Sequence, residues 1–331
     1  MSIAGRRLTR RSFVVGAAGL SSLPFIPAAA QERRARIGFV TAQREAAIAP
    51  NFAFVRAGLS SEGLSEGQNL TIEYRYCDDS LERVREAAWE LSASGVDLIV
   101  AQGSAVPQII SLNLPTPLVY ITSADPILSG YAESLAKPLG PKTGLTFMVY
   151  EFASKRLEIL REMTPSVERV AVFGNPEHFG TERERMFSEE TGRKMGINVG
   201  FCPMSQRGDV DAACRRVQAE EFQAISLLAD GFALQYRQKI LDFADSRGIP
   251  VVSGWPAFAQ SGALFTYGPR LNESYRRLAY YVARVLRGAK PQDLPIERPS
   301  VFETIINLKT AKKLNINVPR AVLARADEVI G

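Results

Sequence analysis

Two α/β halves built around parallel sheets are what this sequence predicts, behind a separate N-terminal leader. Three observations carry that reading. Short β-rich runs alternate with helical patterns through the body, the mark of βα units. The chain has 331 residues, enough for about two domains at ~150 residues each. Hydrophobic residues make up 46% and charged residues 23%, the balance of a globular protein that can bury a core in each half without disulfides or metals.

Residues 1–30 read as a leader. Thr9-Arg10-Arg11-Ser12-Phe13 sets adjacent arginines before an apolar stretch, and Pro27-Ala28-Ala29-Ala30 closes it with small residues. A positive start, a short apolar middle and an A-x-A end define a secretory signal. The arginine pair resembles the twin-arginine export signal. Pro24 and the abundant Gly, Ser and Ala make the stretch a poor match to the ~20 apolar residues of a spanning helix. Cleavage is expected near Ala30, which would leave the mature protein in the periplasm.

The first half runs as strand Ala35–Val40, a helix from about Pro50 to Glu62, strand Leu70–Tyr76, helix Leu81–Ser94, and strands Asp97–Ala101 and Pro117–Ile121. Val84, Ala87, Ala88 and Leu91 define the helix over 81–94 by their spacing. The second half begins near Gly144. Helix Leu157–Met163 leads to strand Arg169–Phe173, which stops at Gly174-Asn175-Pro176. A charged helix over 181–195 and strand Ile197–Cys202 follow. Strand Ala224–Leu228 stops at Ala229-Asp230-Gly231, before a helix over 233–247 and strand Ile249–Val252. The chain is then expected to return to the first half through strand Ala263–Tyr267 and an amphipathic helix, Asn272–Gly288, whose Tyr275, Leu278, Ala279, Val282 and Leu286 face inward. Strand Phe302–Asn307, a helix from Leu308 and a helical tail end the body.

The net charge of +5 does not point to nucleic acid. Arg6, Arg7, Arg10 and Arg11 lie in the leader, which has no acid, so the body's share of the 40 basic and 35 acidic side chains is near balance. A nucleic-acid binder keeps a basic face. The three cysteines, Cys77, Cys202 and Cys214, are odd in number and lack C-x-x-C spacing. A Cys202–Cys214 bridge stays open. The one histidine, His178, sits in a loop and reads as a surface residue. No H-E-x-x-H, G-x-S-x-G, Walker loop or G-x-G-x-x-G occurs. No catalytic residue, cofactor or metal is therefore expected, and binding is favoured over catalysis.

A family resemblance rests mainly on the last quarter of the chain. Gly268-Pro269, Tyr275-Arg276-Arg277, Arg287-Gly288-Ala289-Lys290-Pro291, Asp293-Leu294-Pro295-Ile296-Glu297-Arg298-Pro299, the run Glu303 to Lys312 and Ala324-Arg325-Ala326-Asp327-Glu328-Val329-Ile330 carry it. Asp125-Pro126 with Ser129-Gly130, and Asn175-Pro176, add two further marks. Together they resemble the ABC-transporter substrate-binding family that includes tryptophan/tyrosine-type binding proteins. The resemblance implies the type I periplasmic-binding-protein fold: two Rossmann-like lobes with parallel sheets, joined by three crossover strands and closing on a ligand. The crossovers are expected near 144–148, 253–258 and 301–306. Lobe 1 is then 36–145 plus 257–302, and lobe 2 is 146–256 plus 303–331. The sequence departs from the family pattern at Gln102-Gly103-Ser104, where Gly-Thr is more usual, and at Trp255-Pro256.

Ligands of open α/β sheets sit at the carboxyl ends of strands. From lobe 1 that places Thr41, Gln43, Gln102, Gly103, Ser104, Ser123 and Asp125 at the cleft. Ser104 has two readings, a carboxylate donor and a plain helix N-cap. Asp125 is read as an N-cap first and a ligand acceptor second. From lobe 2, Asn175 and Asp230 follow strands, and Asp230 pairs with a ligand ammonium or simply makes the turn before Gly231. Tyr150 and Trp255 offer flat walls or pack at the hinge.

The resemblance implies a small polar solute as ligand, an amino acid or an aromatic or carboxylate compound. It also implies a cognate ABC permease with its ATPase as partners and a monomeric protein. Two alternatives stand beside transport: a sensor that presents the ligand to a receptor, and an exported hydrolase or isomerase using Asp125 and Asp230.

Overall fold

The computed structural model describes residues 34–147, 150–178, 180–228 and 231–331. The expected leader, residues 1–30, lies outside the described residues. Among the described residues no helix is long and apolar enough to cross a membrane.

The first half runs β1 (Ala35–Thr41), α1 (Glu45–Ser61), β2 (Leu70–Tyr76), α2 (Leu81–Ala93), β3 (Leu98–Gln102), α3 (Ala105–Ile110) and β4 (Leu118–Thr122). A small hairpin, β5 (Ala132–Ser134) and β6 (Lys137–Pro138), precedes β7 (Lys142–Thr146). The second half runs α4 (Tyr150–Met163), β8 (Arg169–Gly174), α5 (Thr181–Met195), β9 (Asn198–Pro203), α6 (Arg207–Ala219), β10 (Ala224–Leu227), α7 (Gly231–Gln235), α8 (Arg237–Arg247), β11 (Val251–Ser253), α9 (Pro256–Ser261) and β12 (Phe265–Pro269). The last segment comprises α10 (Leu271–Leu286), β13 (Phe302–Asn307), α11 (Leu308–Lys313), α12 (Arg320–Leu323) and β14 (Glu328–Ile330).

Two sheets result. Lobe 1 holds β2-β1-β3-β4-β7, all parallel. Lobe 2 holds β14-β13-β12-β11-β10-β8-β9, in which only the β12–β13 pair is antiparallel. Both faces of each sheet are covered, which is why the central strands are apolar without alternation. In lobe 1, α1 and α10 supply Phe52, Val55, Leu278 and Val282 to one face, and α2 and α3 supply Val84, Leu91 and Val106 to the other. In lobe 2, α6, α8 and α9 bring Val217, Ile240 and Phe258, and α4 and α12 bring Leu157, Leu160 and Val322.

Four expectations change. The strand expected at 263–267 to rejoin lobe 1 pairs instead with β11 and β13 in the second sheet. The return is made by α10, whose apolar stripe packs in the lobe 1 core. Lobe 1 thus regains the chain at about residue 271 rather than 257, and the second crossing is β12 to α10. A strand buried on both faces reads alike whichever sheet it joins. The first helix begins at Glu45, so Pro50 lies inside it; the carbonyl four residues earlier loses its helical partner there. The expected helix over 233–247 is two, α7 and α8, meeting at Tyr236. Finally, the tail ends in a strand, Ile305 and Asn307 pairing with Glu328 and Ile330.

Candidate functional site

The carboxyl ends of β1, β3 and β4 face the second lobe across a cavity of about 390 Å³. A continuation of about 230 Å³ shares Gln43, Gly103, Ser104, Thr122, His178 and Gly231 with it. The main cavity falls in the ~300–1,000 Å³ range of small-molecule sites.

Of the residues the sequence pointed to, Gln43, Gln102, Gly103, Ser104, Ser123 and Trp255 line the main cavity. Asn175 lines the continuation, its Oδ1 accepting from the Glu177 N–H at 2.9 Å. Thr41 stands behind the wall, fully buried. Its Oγ1 accepts from Gln102 Nε2 at 2.7 Å and from the Gln43 backbone N–H at 3.1 Å. Asp230 lies outside the described residues.

Asp125 and Tyr150 are not among the described lining residues. Asp125 Oδ1 accepts from the N–H groups of Ile127 and Leu128, at 2.9 and 3.2 Å; it caps its own turn, as cap preferences favour. Tyr150 is buried beside Phe187, ring centroids 5.3 Å apart, with the Arg183 guanidinium over its face. Ser104 stands at the N-cap of α3 but makes no side-chain cap bond. The residue lines the cavity.

Residues not anticipated complete the wall. On α1, Asn51 and Phe54 line the cavity, as does Tyr275 on α10. The Tyr275 hydroxyl lies 3.3 Å from Gln102 Oε1 and 3.4 Å from Asn51 Nδ2; burial raises its pKa. Phe147 packs edge-on against Trp255, centroids 5.2 Å apart. Trp255 contacts the cores of both lobes. Glu303 and Glu328 also line the cavity. Burial pushes the Glu303 carboxyl up, opposed by Arg270 beside it at 3.4 Å. No Lys or Arg occurs among the described lining residues.

His178 overturns its reading as a surface residue. Its Nε2 is 2.7 Å from Ser123 Oγ, joining lobe 2 to lobe 1 across the cleft. Its Nδ1 accepts from the Gly180 N–H at 3.2 Å. The ring proton is thereby assigned to Nε2, which donates to Ser123. Burial lowers the His178 pKa against the pull of Glu184. In that tautomer the imidazole cannot take the proton of Ser123, so the pair is a link between lobes and not a nucleophile with its base. No local signal marks a contact made between residues 55 positions apart.

Behind the lobe 2 wall, Arg156 on α4 and Glu184 on α5 form an ion pair at 2.9 Å with both side chains essentially without exposure. Among the described residues Arg156 Nε and Nη1 have no hydrogen-bond partner. The three cysteines are unpaired and buried, so Cys202 and Cys214 are not bridged; burial raises both thiols to about 11. No group of three His, Cys, Asp or Glu among the described residues could hold a metal.

Comparison with known proteins fits this geometry. The model of the family described as ABC transporter substrate binding protein matches residues 47–330. A conserved domain protein from Vibrio cholerae O1 biovar El Tor superposes with a TM-score of 0.83 at 22% identity, covering 89% of this chain and 99% of that one. An ABC domain from Streptococcus pneumonia in complex with L-Trp gives 0.82 at 22% identity, covering 90% and 100%. A ligand-free, open substrate-binding protein with adhesive properties from Clostridium difficile gives 0.66 at 18%, covering 89% and 99%. These likenesses show the fold, that of type I periplasmic binding proteins. No curated protein matches the chain.

Proposed function

This chain belongs to the ABC transporter substrate-binding protein family, and on that premise we propose that it is the extracytoplasmic solute-binding component of an importer. It captures a small solute between its lobes by passing from an open to a closed form. The inter-lobe cavity carries the reading. Its aromatic wall of Phe54, Phe147 and Trp255 suits an apolar or aromatic body, and its amide and hydroxyl groups suit a polar head. The solute class that fits is an amino acid or an aromatic carboxylate. The Ser123–His178 bond and the approach of Gly231 to Gln43 are contacts that a parted cleft would break.

The leader supports twin-arginine export to the periplasm, and the family membership supports delivery of solute, by a mature protein we take as monomeric, to a cognate permease and its ATPase. Mature protein, residues 31–331, is to be screened by thermal shift against amino acids, aromatic acids, dicarboxylates, ureas and sugars. A ligand at 100 times its Kd adds about 2.7 kcal/mol to stability. A hit among the aromatic or amino acids is expected. A folded protein that ignores the whole panel would sink the importer reading. Uptake by reconstituted permease and ATPase separates delivery from sensing.

A further inference from the structure

The cavity wall of lobe 1 has a hydrogen-bond polarity. Asn51 Nδ2 donates to the Tyr275 hydroxyl, and that hydroxyl donates to Gln102 Oε1. Gln102 Nε2 donates in turn to Thr41 Oγ1 and, at 3.1 Å, to Gln43 Oε1. In this chain the Tyr275 hydroxyl, Gln102 Oε1, Thr41 Oγ1 and Gln43 Oε1 are thus each met by a donor from behind. What remains at its end is Gln43 Nε2, which has no partner among the described residues and points across the cleft. A Cβ placed on Gly231 would lie 2.8 Å from it. Ser123 ends a second, shorter chain in the same sense: its oxygen receives His178 Nε2–H, which leaves its own proton to donate. Between them in strand order, after the end of β3, stands Ser104, whose hydroxyl makes no cap bond to its helix.

We propose that this arc reads a carboxylate on the ligand, and that Gln43 is the specificity-determining residue because its amide can present only its N–H side. The inference rests on the solute-binding reading and names the pole by which the solute is held. With no Lys or Arg among the described lining residues, the carboxylate is met by neutral donors held in place, not by a counter-charge. Oriented neutral donors of this kind stabilise an anion in a closed site. The same heavy atoms would also satisfy a reversed chain, with every amide turned over and Gln43 Oε1 facing the ligand. That arrangement would select a donor, such as an ammonium.

Two measurements separate the polarities. The first needs no ligand. In protein labelled with 15N at glutamine side chains, NOEs from the Gln102 side-chain NH2 to the Thr41 methyl are expected. NOEs to the Tyr275 ring in their place would overturn the polarity. The second is calorimetry with 3-phenylpropanoate, its methyl ester and phenethylamine. Wild type is expected to prefer the acid. Gln43→Ala should weaken the acid about tenfold, and Gln43→Glu, which can only accept, about a hundredfold. Tyr275→Phe, which frees Gln102 to turn over, should narrow the preference for acid over amine. A Gln43→Glu protein that holds the acid as well as wild type does, or a wild type that prefers phenethylamine, would reject the proposal. Binding of none of the three by wild type would count against the solute class proposed above, while the NOE pattern still decides the polarity.

Discussion

The two lobes approach the same cavity with opposite chemistries. Lobe 1 presents a connected set of neutral amides and hydroxyls, each held by the one behind it, from Asn51 through Tyr275 and Gln102 to Gln43. Lobe 2 presents Gly231, the His178 imidazole, Trp255, the Glu303 and Glu328 carboxylates and, out of sight, a buried ion pair between α4 and α5. The difference teaches a division of labour. Neutral relays hold orientation cheaply where each buried donor meets an acceptor. A buried ion pair is costly to keep and severe to break. Lobe 1 is therefore suited to reading a ligand, and lobe 2 to staying rigid in the proposed closure.

Removing Glu184 tests that contrast most strongly. Glu184→Ala leaves the Arg156 guanidinium buried without its counter-charge and should cost about 3–5 kcal/mol of stability in urea unfolding. Replacing both partners with apolar residues of similar volume should recover most of the loss. A single change that proved neutral would remove the supposed rigidity of lobe 2.

Gln102→Ala attacks the other lobe at its centre. It strands the Tyr275 hydroxyl and should cost about 1–3 kcal/mol of stability, while the affinity for any ligand found also falls. Equal affinity in the variant would show that the relay does not orient the site.

Acid tests the link between lobes. The folded-state pKa of His178 is lowered by burial from its ordinary 6.5, so the unfolded chain binds the proton more readily. Stability from burying the neutral ring is complete above pH 6.5 and is lost as pH falls towards the folded value. The pull of Glu184 on the ring opposes burial and does not reverse that sign. Ligand affinity should decline from pH 7 to 5 with a slope no steeper than one proton, about 1.4 kcal/mol per pH unit. His178→Gln should flatten the profile. A profile unchanged by that substitution would dismiss the link as a pH-sensitive element.

The smallest effect is expected at Gly231. A methyl group there meets Gln43 Nε2 at 2.8 Å, the far end of a side chain that can shift. Gly231→Ala should lower affinity several-fold and change stability by less than about 0.5 kcal/mol. A large loss of stability would mean that the contact belongs to the core and not to closure.

Much of this was legible in the order of residues, for identifiable reasons. Strand ends announce themselves where an apolar run stops at a polar residue, so Gln102, Ser104 and Ser123 were visible. Tyr275 and Asn51 were not, because the helix stripe that buries them is the same whether its tip meets an apolar core or an amide. His178 was missed because its partner is brought to it only by the meeting of two lobes. The second crossing was misplaced because Phe265 and its neighbours, covered on both faces, carry no mark of which sheet they join. Trp255 kept its place on the wall even so, since it touches both cores.

The antiparallel pairing of β12 with β13 has a mechanical consequence. The strands leave the second sheet side by side, Pro269 opposite Phe302, and the segments beyond them are joined by a bond from the Arg270 N–H to the Val301 carbonyl at 3.0 Å. Two of the three tethers between the lobes therefore form one two-ply ribbon. Gly268 lets that ribbon lie flat against its neighbour, since a Cβ there would stand 2.1 Å from the Gly254 carbonyl oxygen. A two-ply ribbon bends easily across its thin direction and resists torsion. In the open-to-closed passage proposed above, this ribbon would serve as a shared hinge, returning Gln43 to the same opposing wall at each closure.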